Sequence, residues 1–293
     1  MFNRYILLIL ALVCYLSGNA QLSTSKLFFD HLTTEEGLAH NYILSIFQDE
    51  DGFVWLGSDN GLNRYDGQHI DILSSNTKPA LGGNRIRRII QDKSKTLWIL
   101  HENGLDMMDH YTQHIRSFLY GRELKKHILG FGLDDNGDLA AFTESDILLY
   151  NSNSGSFDIK QTAPANFLFS AFVKCGNRYY LGTRRHGIIV YNENWKLLEH
   201  IYPTSIQGGI LEDGLISLLR VDSNGSIWSV MAGLCIQKYD PVTRIVQTYP
   251  LSAHSVINRE VRDIIELNAD YMLVGTFNGL CLLYTSPSPR DAH

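Results

Sequence analysis

Long apolar runs are scarce in this 293-residue chain. A bilayer-spanning helix needs about 20 consecutive apolar residues, and beyond the first twenty residues no stretch is a candidate. Basic runs are scarce as well. With 25 Lys and Arg against 31 Asp and Glu the net charge is −6, and no dense Lys/Arg block occurs, so nucleic acid is not an expected partner. Arg85, Arg87 and Arg88 form the one basic cluster and read as a solvated strand edge or loop. Of four cysteines, Cys14 falls in the N-terminal apolar segment, leaving an odd set of Cys175, Cys235 and Cys281. Cys235 and Cys281 each follow a Gly-Leu pair and so hold equivalent places in adjacent repeats. Such places lie too far apart for the short Cα separation a disulfide demands, and free thiols are expected.

Chemical signatures are lacking too. No Gly-x-Ser-x-Gly elbow occurs, and no Cys/His pairing has the context for nucleophilic catalysis. Gly57, Gly61 and Gly67 do not precede a helix, which leaves a phosphate cradle without support. His110 and His114 are four apart, but their surroundings read as strand, turn and strand, so they are polar loop histidines rather than helical metal ligands. Asp49-Glu-Asp51-Gly52 and Asp134-Asp-Asn136-Gly137 open like calcium loops, yet neither leads to a bidentate Glu at the required distance, and both read as turns. No metal and no cofactor are expected. Glycosidase chemistry needs two positioned carboxylates or an equivalent pair, and sequence alone does not place any two of the 31 acidic residues in such a pair.

What the chain has is a repeat. Six times a short apolar run leads through a polar, usually glycine-bearing turn into a second apolar run, then to a small residue and, in most copies, a Tyr. The clearest copy runs from Ile43 to Asp66. Taking Trp55, Trp98, Ala140, Tyr180, Trp228 and Leu273 as equivalent, the steps are 43, 42, 40, 48 and 45 residues. A period of roughly 40 to 50 residues built from strand-like runs is the signature of four-stranded β-propeller blades. The runs are β-branched, aromatic and aliphatic, and too short for stable helices. Asp51-Gly52, Asn136-Gly137 and Asn224-Gly225 supply the left-handed backbone of tight hairpins. Gly57, Gly61 and Gly275 recur after the second run as further blade positions. The aromatics Trp55, Trp98, Tyr180 and Trp228 are predicted to fill the wedge between neighbouring blades. Ala140 breaks that rule and predicts either different packing or a shifted alignment in the third copy.

The chain therefore reads as all-β, a propeller of four-stranded antiparallel blades, about six of a ring of seven. Arg4, the apolar Tyr5 to Leu16 and Gly18-Asn19-Ala20 make residues 1–20 a secretory signal cleaved before Gln21, with export to a bacterial periplasm. Residues 21–284 are the incomplete propeller. In 285–293 two prolines end the strand pattern, and the stretch reads as a foreign or disordered tail.

Phe29-Asp-His-Leu-Thr-Thr-Glu-Glu-Gly-Leu-Ala-His-Asn41 followed by Ile46 to Gly67 resembles the two-component regulator propeller repeat. The resemblance is strong over 28–67, fair over 84–109 and 216–240, and only patterned elsewhere. It implies a periplasmic sensor whose complete form has two seven-bladed propellers, an immunoglobulin-like module, a membrane helix, a histidine kinase and response-regulator parts. It also implies an oligosaccharide ligand, a homodimer, and membrane attachment only through a downstream helix. The repeated Asp-x-x-Gly-x-x-Trp is near the Asp-box hairpins of sialidase-like hydrolases, which have no catalytic role. Two other readings stay open: a secreted propeller serving as a protein-interaction platform, and a propeller lyase or hydrolase. Propellers commonly place ligands at the rim of the central channel, where the chain enters each innermost strand. The candidate contacts there are His40, Asn41, Asn84, Arg85, Asn258 and Arg259, whose amide and guanidinium groups suit sugar hydroxyls.

Overall fold

The computed structural model describes residues 32–134, 136–164, 167–202, 214–251, 261–268, 271–276 and 279–284. The expected signal segment, the tail, and Asn258 and Arg259 lie outside the described residues. Every regular element described is a strand. The first blade is β1 (Ile43–Gln48), β2 (Val54–Ser58), β3 (Gly61–Tyr65) and β4 (Ile70–Leu73); the second is β5 (Ile86–Gln91), β6 (Leu97–His101), β7 (Gly104–Met108) and β8 (Ile115–Leu119). Next come β9 (Gly130–Leu133), β10 (Leu139–Phe142), β11 (Asp146–Asn151) and β12 (Ser156–Thr162), then β13 (Phe169–Cys175), β14 (Arg178–Thr183), β15 (Ile188–Asn192) and β16 (Leu197–Ile201). The fifth blade is β17 (Ile216–Val221), β18 (Ile227–Met231), β19 (Cys235–Tyr239) and β20 (Val246–Pro250); the sixth shows β21 (Val261–Asn268), β22 (Tyr271–Thr276) and β23 (Gly279–Tyr284). Each blade is an antiparallel meander in chain order, five with four strands and the sixth with three among the described residues. This is the expected β-propeller, with the first strand of each blade innermost, packed on its neighbours' first strands.

In the first, second and fifth blades the first turn is fixed by one aspartate. Asp222 Oδ1 accepts the backbone N–H of Asn224 and Ser226, at 3.1 and 2.8 Å, and its Oδ2 accepts the indole N–H of Trp228 at 2.9 Å. Asp49 does the same with Asp51, Phe53 and Trp55, and Asp92 with Ser94, Thr96 and Trp98. The spacing i, i+2, i+4, i+6 is thus a hydrogen-bond requirement: one carboxylate closes the turn and holds the ring that packs outside it. The fourth turn residue must be left-handed. Gly52 and Gly225 take φ of 90° and 81°, while in the second blade Lys95 takes φ 62° in that place, held by the same aspartate contacts.

The core is five apolar wedges, one between each pair of consecutive blades. Trp55 packs with Ile86, Ile89, Leu97 and Ile99 between the first two blades, and Trp98 with Phe118, Phe131 and Leu139 between the next two. Tyr180 lies between the fourth and fifth blades and Trp228 between the fifth and sixth, as the sequence predicts. Ala140 is in register, and the wedge beside it is packed differently. Tyr179 and Trp195 of the fourth blade stack there, 4.0 Å apart and within 2° of parallel, and fill the space that an indole fills elsewhere. Close approach between blades requires Gly57. A Cβ there would lie 2.7 Å from Ile86 Cγ2 of the next blade, and the same holds for Gly182 against Ile216 Cγ2 at 2.6 Å.

Candidate functional site

Ladder pairing slips at the same place in five of the six innermost strands. In β1 the partners are Ile43↔Ser58 and then Ser45↔Gly57, so Leu44 is left over; in β5 the extra residue is Arg87. In β13, β17 and β21 it is Ser170, Ser217 and Arg262. In the third blade Leu129 holds the matching place just before β9, its N–H donated to the Phe142 carbonyl. A β-bulge re-aims the side chain it frees. The five bulge residues and Leu129 form a ring, and all six line concavities beside the innermost strands. Leu44, Arg87 and Arg262 border a cavity of about 580 Å³ shared by the first, second, fifth and sixth blades. Leu129, Ser170 and Ser217 border one of about 840 Å³ on the opposite arc, together with Arg184 and Arg185.

Arginines line both arcs. Arg87, Arg88, Arg220 and Arg262 line the first cavity, with Asp263 as the one carboxylate among its described lining residues; in the second, Arg184 is paired with Glu144. Arg220 pairs with Asp263 at 2.8 Å. Arg88 lies over the Phe131 ring, 5.8 Å from its centroid. Loss of solvent, with Arg220 nearby, pulls the Arg88 pKa down to about 10 against the opposing pull of Asp263. A guanidinium at that value is still charged at neutral pH. The solvated-edge expectation for the basic cluster is therefore corrected for Arg88 alone, which is half-buried in the cavity wall; Arg85 and Arg87 are exposed, Arg85 ion-paired with Asp59 at 2.8 Å and Arg87 at the cavity mouth.

The described rim candidates serve their own loops. His40 Nδ1 accepts the Tyr42 N–H, Asn41 Oδ1 accepts that of Thr34, and Asn84 Oδ1 that of Ser75. Glu102 accepts the backbone N–H of both Asn84 and Arg85 and so anchors the linker entering β5. None of the four is among the side chains lining the two cavities. The cavity-lining bulge residues stand two to four positions later in the chain. Aligned repeats do carry a signal for them, because each of these residues directly follows an apolar residue: Ile43, Ile86, Phe169, Ile216 and Val261, which open their inner strands, and Ile128, two residues before β9.

Two other polar groupings are structural. His101 and Asp106 are fully buried with Nε2 and Oδ1 3.3 Å apart, and Asp106 Oδ2 accepts the Gly82 N–H at 2.8 Å, tying the linker to β7. Burial keeps this pair from any substrate. His110 Nε2 lies 2.9 Å from Asp51, which also takes Lys95 at 3.0 Å, joining outer turns of the first and second blades.

Residues 37–60 match the family model described as two component regulator propeller, within the stretch singled out above. No curated protein matches the chain. Among solved structures, the chain is similar to an extracellular domain described as that of a hybrid two component system from B. thetaiotaomicron, at 19% identity and TM-score 0.67, covering 87% of this chain and 35% of that one. An extracellular domain described as that of a one component system from the same organism gives 18% identity and TM-score 0.64, covering 83% and 34%. Virginiamycin B lyase from Staphylococcus aureus gives 13% identity and TM-score 0.61, covering 84% and 85%. The chain spans about a third of the length of the first two structures. At these identities the likeness is one of fold.

Proposed function

We propose that this chain is the ligand-sensing propeller of an exported two-component sensor, and that its ligand is an oligosaccharide held at the channel mouth. The observation that carries the reading is the two component regulator propeller repeat at residues 37–60. Support comes from the fold it shares with extracellular domains so described and from a channel mouth lined by arginine, serine and aliphatic side chains. In this reading the protein lies on the periplasmic face of the bacterial inner membrane, and a kinase beyond a membrane helix regulates glycan-utilisation genes. The propeller itself catalyses nothing and touches no nucleic acid. A bound glycan shifts the arrangement of two sensor subunits, which requires different affinities for the two arrangements.

The lyase among similar folds raises an enzymatic alternative. Against it, Asp263 is the one acid among the described residues lining either large cavity, and Arg220 engages it. The test is a thermal-melt screen of the full chain against neutral and acidic oligosaccharides from bacterial and plant glycans. The proposal expects at least one to raise Tm dose-dependently and to be recovered unchanged. A panel with no stabilising member, or a ligand that is cleaved, sinks it.

A further inference from the structure

We propose that the arc of the channel formed by Arg87, Arg88, Arg220 and Arg262 is an oxyanion site, which makes the sensed ligand an acidic oligosaccharide carrying a carboxylate or sulfate ester. The identification of the carrier as a sugar rests on the function proposed above; the anion site itself does not.

The chain as a whole is negative, at −6, yet four guanidiniums line one cavity of about 580 Å³ with a single carboxylate among its described lining residues. That carboxylate, Asp263, is engaged by Arg220 through both oxygens, at 2.8 and 2.9 Å. Among the described residues, neither Arg87 nor Arg88 has a carboxylate within ion-pair distance. Arg88 and Arg220 are half-buried, and Arg87 and Arg262 are exposed at the cavity mouth. Crowding like charges there is unfavourable, loss of a proton is closed to arginine at physiological pH, and a bound anion relieves the repulsion. Guanidinium groups present planar, paired N–H donors that match the two oxygens of a carboxylate or sulfate, and a cavity with low-dielectric walls strengthens the attraction.

The placement fits recognition rather than folding. Arg87 and Arg262 are bulge residues of β5 and β21, so the backbone turns them toward the cavity, while Arg88 and Arg220 reach the same space from β5 and β17. The opposite arc has Ser170 and Ser217 at the corresponding bulges, and its arginines, Arg184, paired with Glu144, and Arg185, come from beyond the inner strands. A ligand spanning both would place its acidic end on the arginines and its neutral hydroxyls toward the serines.

The experiment is calorimetric titration of the full chain with four probes: a uronic-acid disaccharide, its carboxyl-reduced neutral counterpart, a sulfated disaccharide and inorganic sulfate. The proposal expects one or both acidic disaccharides to bind, the reduced sugar to bind at least tenfold more weakly, and affinity to fall as salt rises. Binding by only one acidic sugar identifies the oxyanion. Arg87→Gln, an exposed position whose change leaves packing intact, should weaken binding about tenfold or more, and Arg88→Gln at least as much. Arg122→Gln, which lines a separate recess beside Glu102 and His127, should change nothing. Equal binding of the acidic sugar and its reduced counterpart, untouched by Arg87→Gln, overturns the oxyanion site and leaves an oligosaccharide sensor. Binding of inorganic sulfate that Arg87→Gln abolishes, with no sugar bound, keeps the site and overturns the sugar reading. No binding of any probe overturns both.

Discussion

Asp222 shows how much one side chain can fix. It is buried, closes its turn through two backbone N–H groups, holds the Trp228 indole and receives the Lys238 ammonium at 3.1 Å. Burial works to raise its pKa, but the hydrogen bonds from Trp228 and Ser226 and the charge of Lys238 outweigh it and hold the carboxyl below its ordinary value. Replacing it by alanine leaves several buried donors without an acceptor, and Asp222→Ala should cost about 3 kcal/mol, read from urea denaturation. Gly57→Ala forces a methyl group against Ile86 and should cost about 1 to 3 kcal/mol in the same assay. The turn aspartates are legible from sequence because their partners sit two, four and six residues away. Lys95 shows the limit: its left-handed backbone goes unmarked by glycine because Asp92 fixes the turn from outside the residue.

Elements assemble through these residues, and their stability inherits the residues' chemistry. Since the folded-state pKa of Asp222 lies below its unfolded value, the stabilisation is complete above that unfolded value, about 4, and fades as pH falls through the folded value. Urea midpoints measured at pH 6, 4 and 3 should therefore fall with acid in the parent chain. Asp222→Asn should be less stable at pH 6 and fall less steeply. Trp98 carries the wedge between the second and third blades, edge-on to Tyr150 with centroids 4.7 Å apart. Trp98→Ala should cost about 3 to 5 kcal/mol. Strand order and blade period are legible in the sequence, since both follow from local alternation and turns. The repeated bulge is marked only indirectly, by the apolar residue before it in each repeat, because a ladder slip is a relation between two strands. Ala140 shows the same limit: its wedge is filled by Tyr179 and Trp195, which lie some 40 to 55 residues further along the chain.

For the whole molecule, the bulges convert a repeated structural irregularity into one ring of differing side chains. The scaffold is nearly constant from blade to blade, whereas the ring reads Leu44, Arg87, Leu129, Ser170, Ser217, Arg262. A propeller can therefore change what it recognises at six positions without touching its wedges, in keeping with function residing in sites grafted on a fold. The rim residues His40, Asn41, Asn84 and Arg85 sit a few residues short of that ring and bond within or beside the linkers. The central claim is that the channel mouth is the sensing surface. Hydrogen exchange of the full chain, with and without the oligosaccharide that most raises Tm, tests it most directly. The account predicts slowed exchange concentrated in residues 43–46, 86–89, 216–220 and 261–265. Protection confined to the outer turns at 109–114 and 151–155, with the inner strands unchanged, would contradict it.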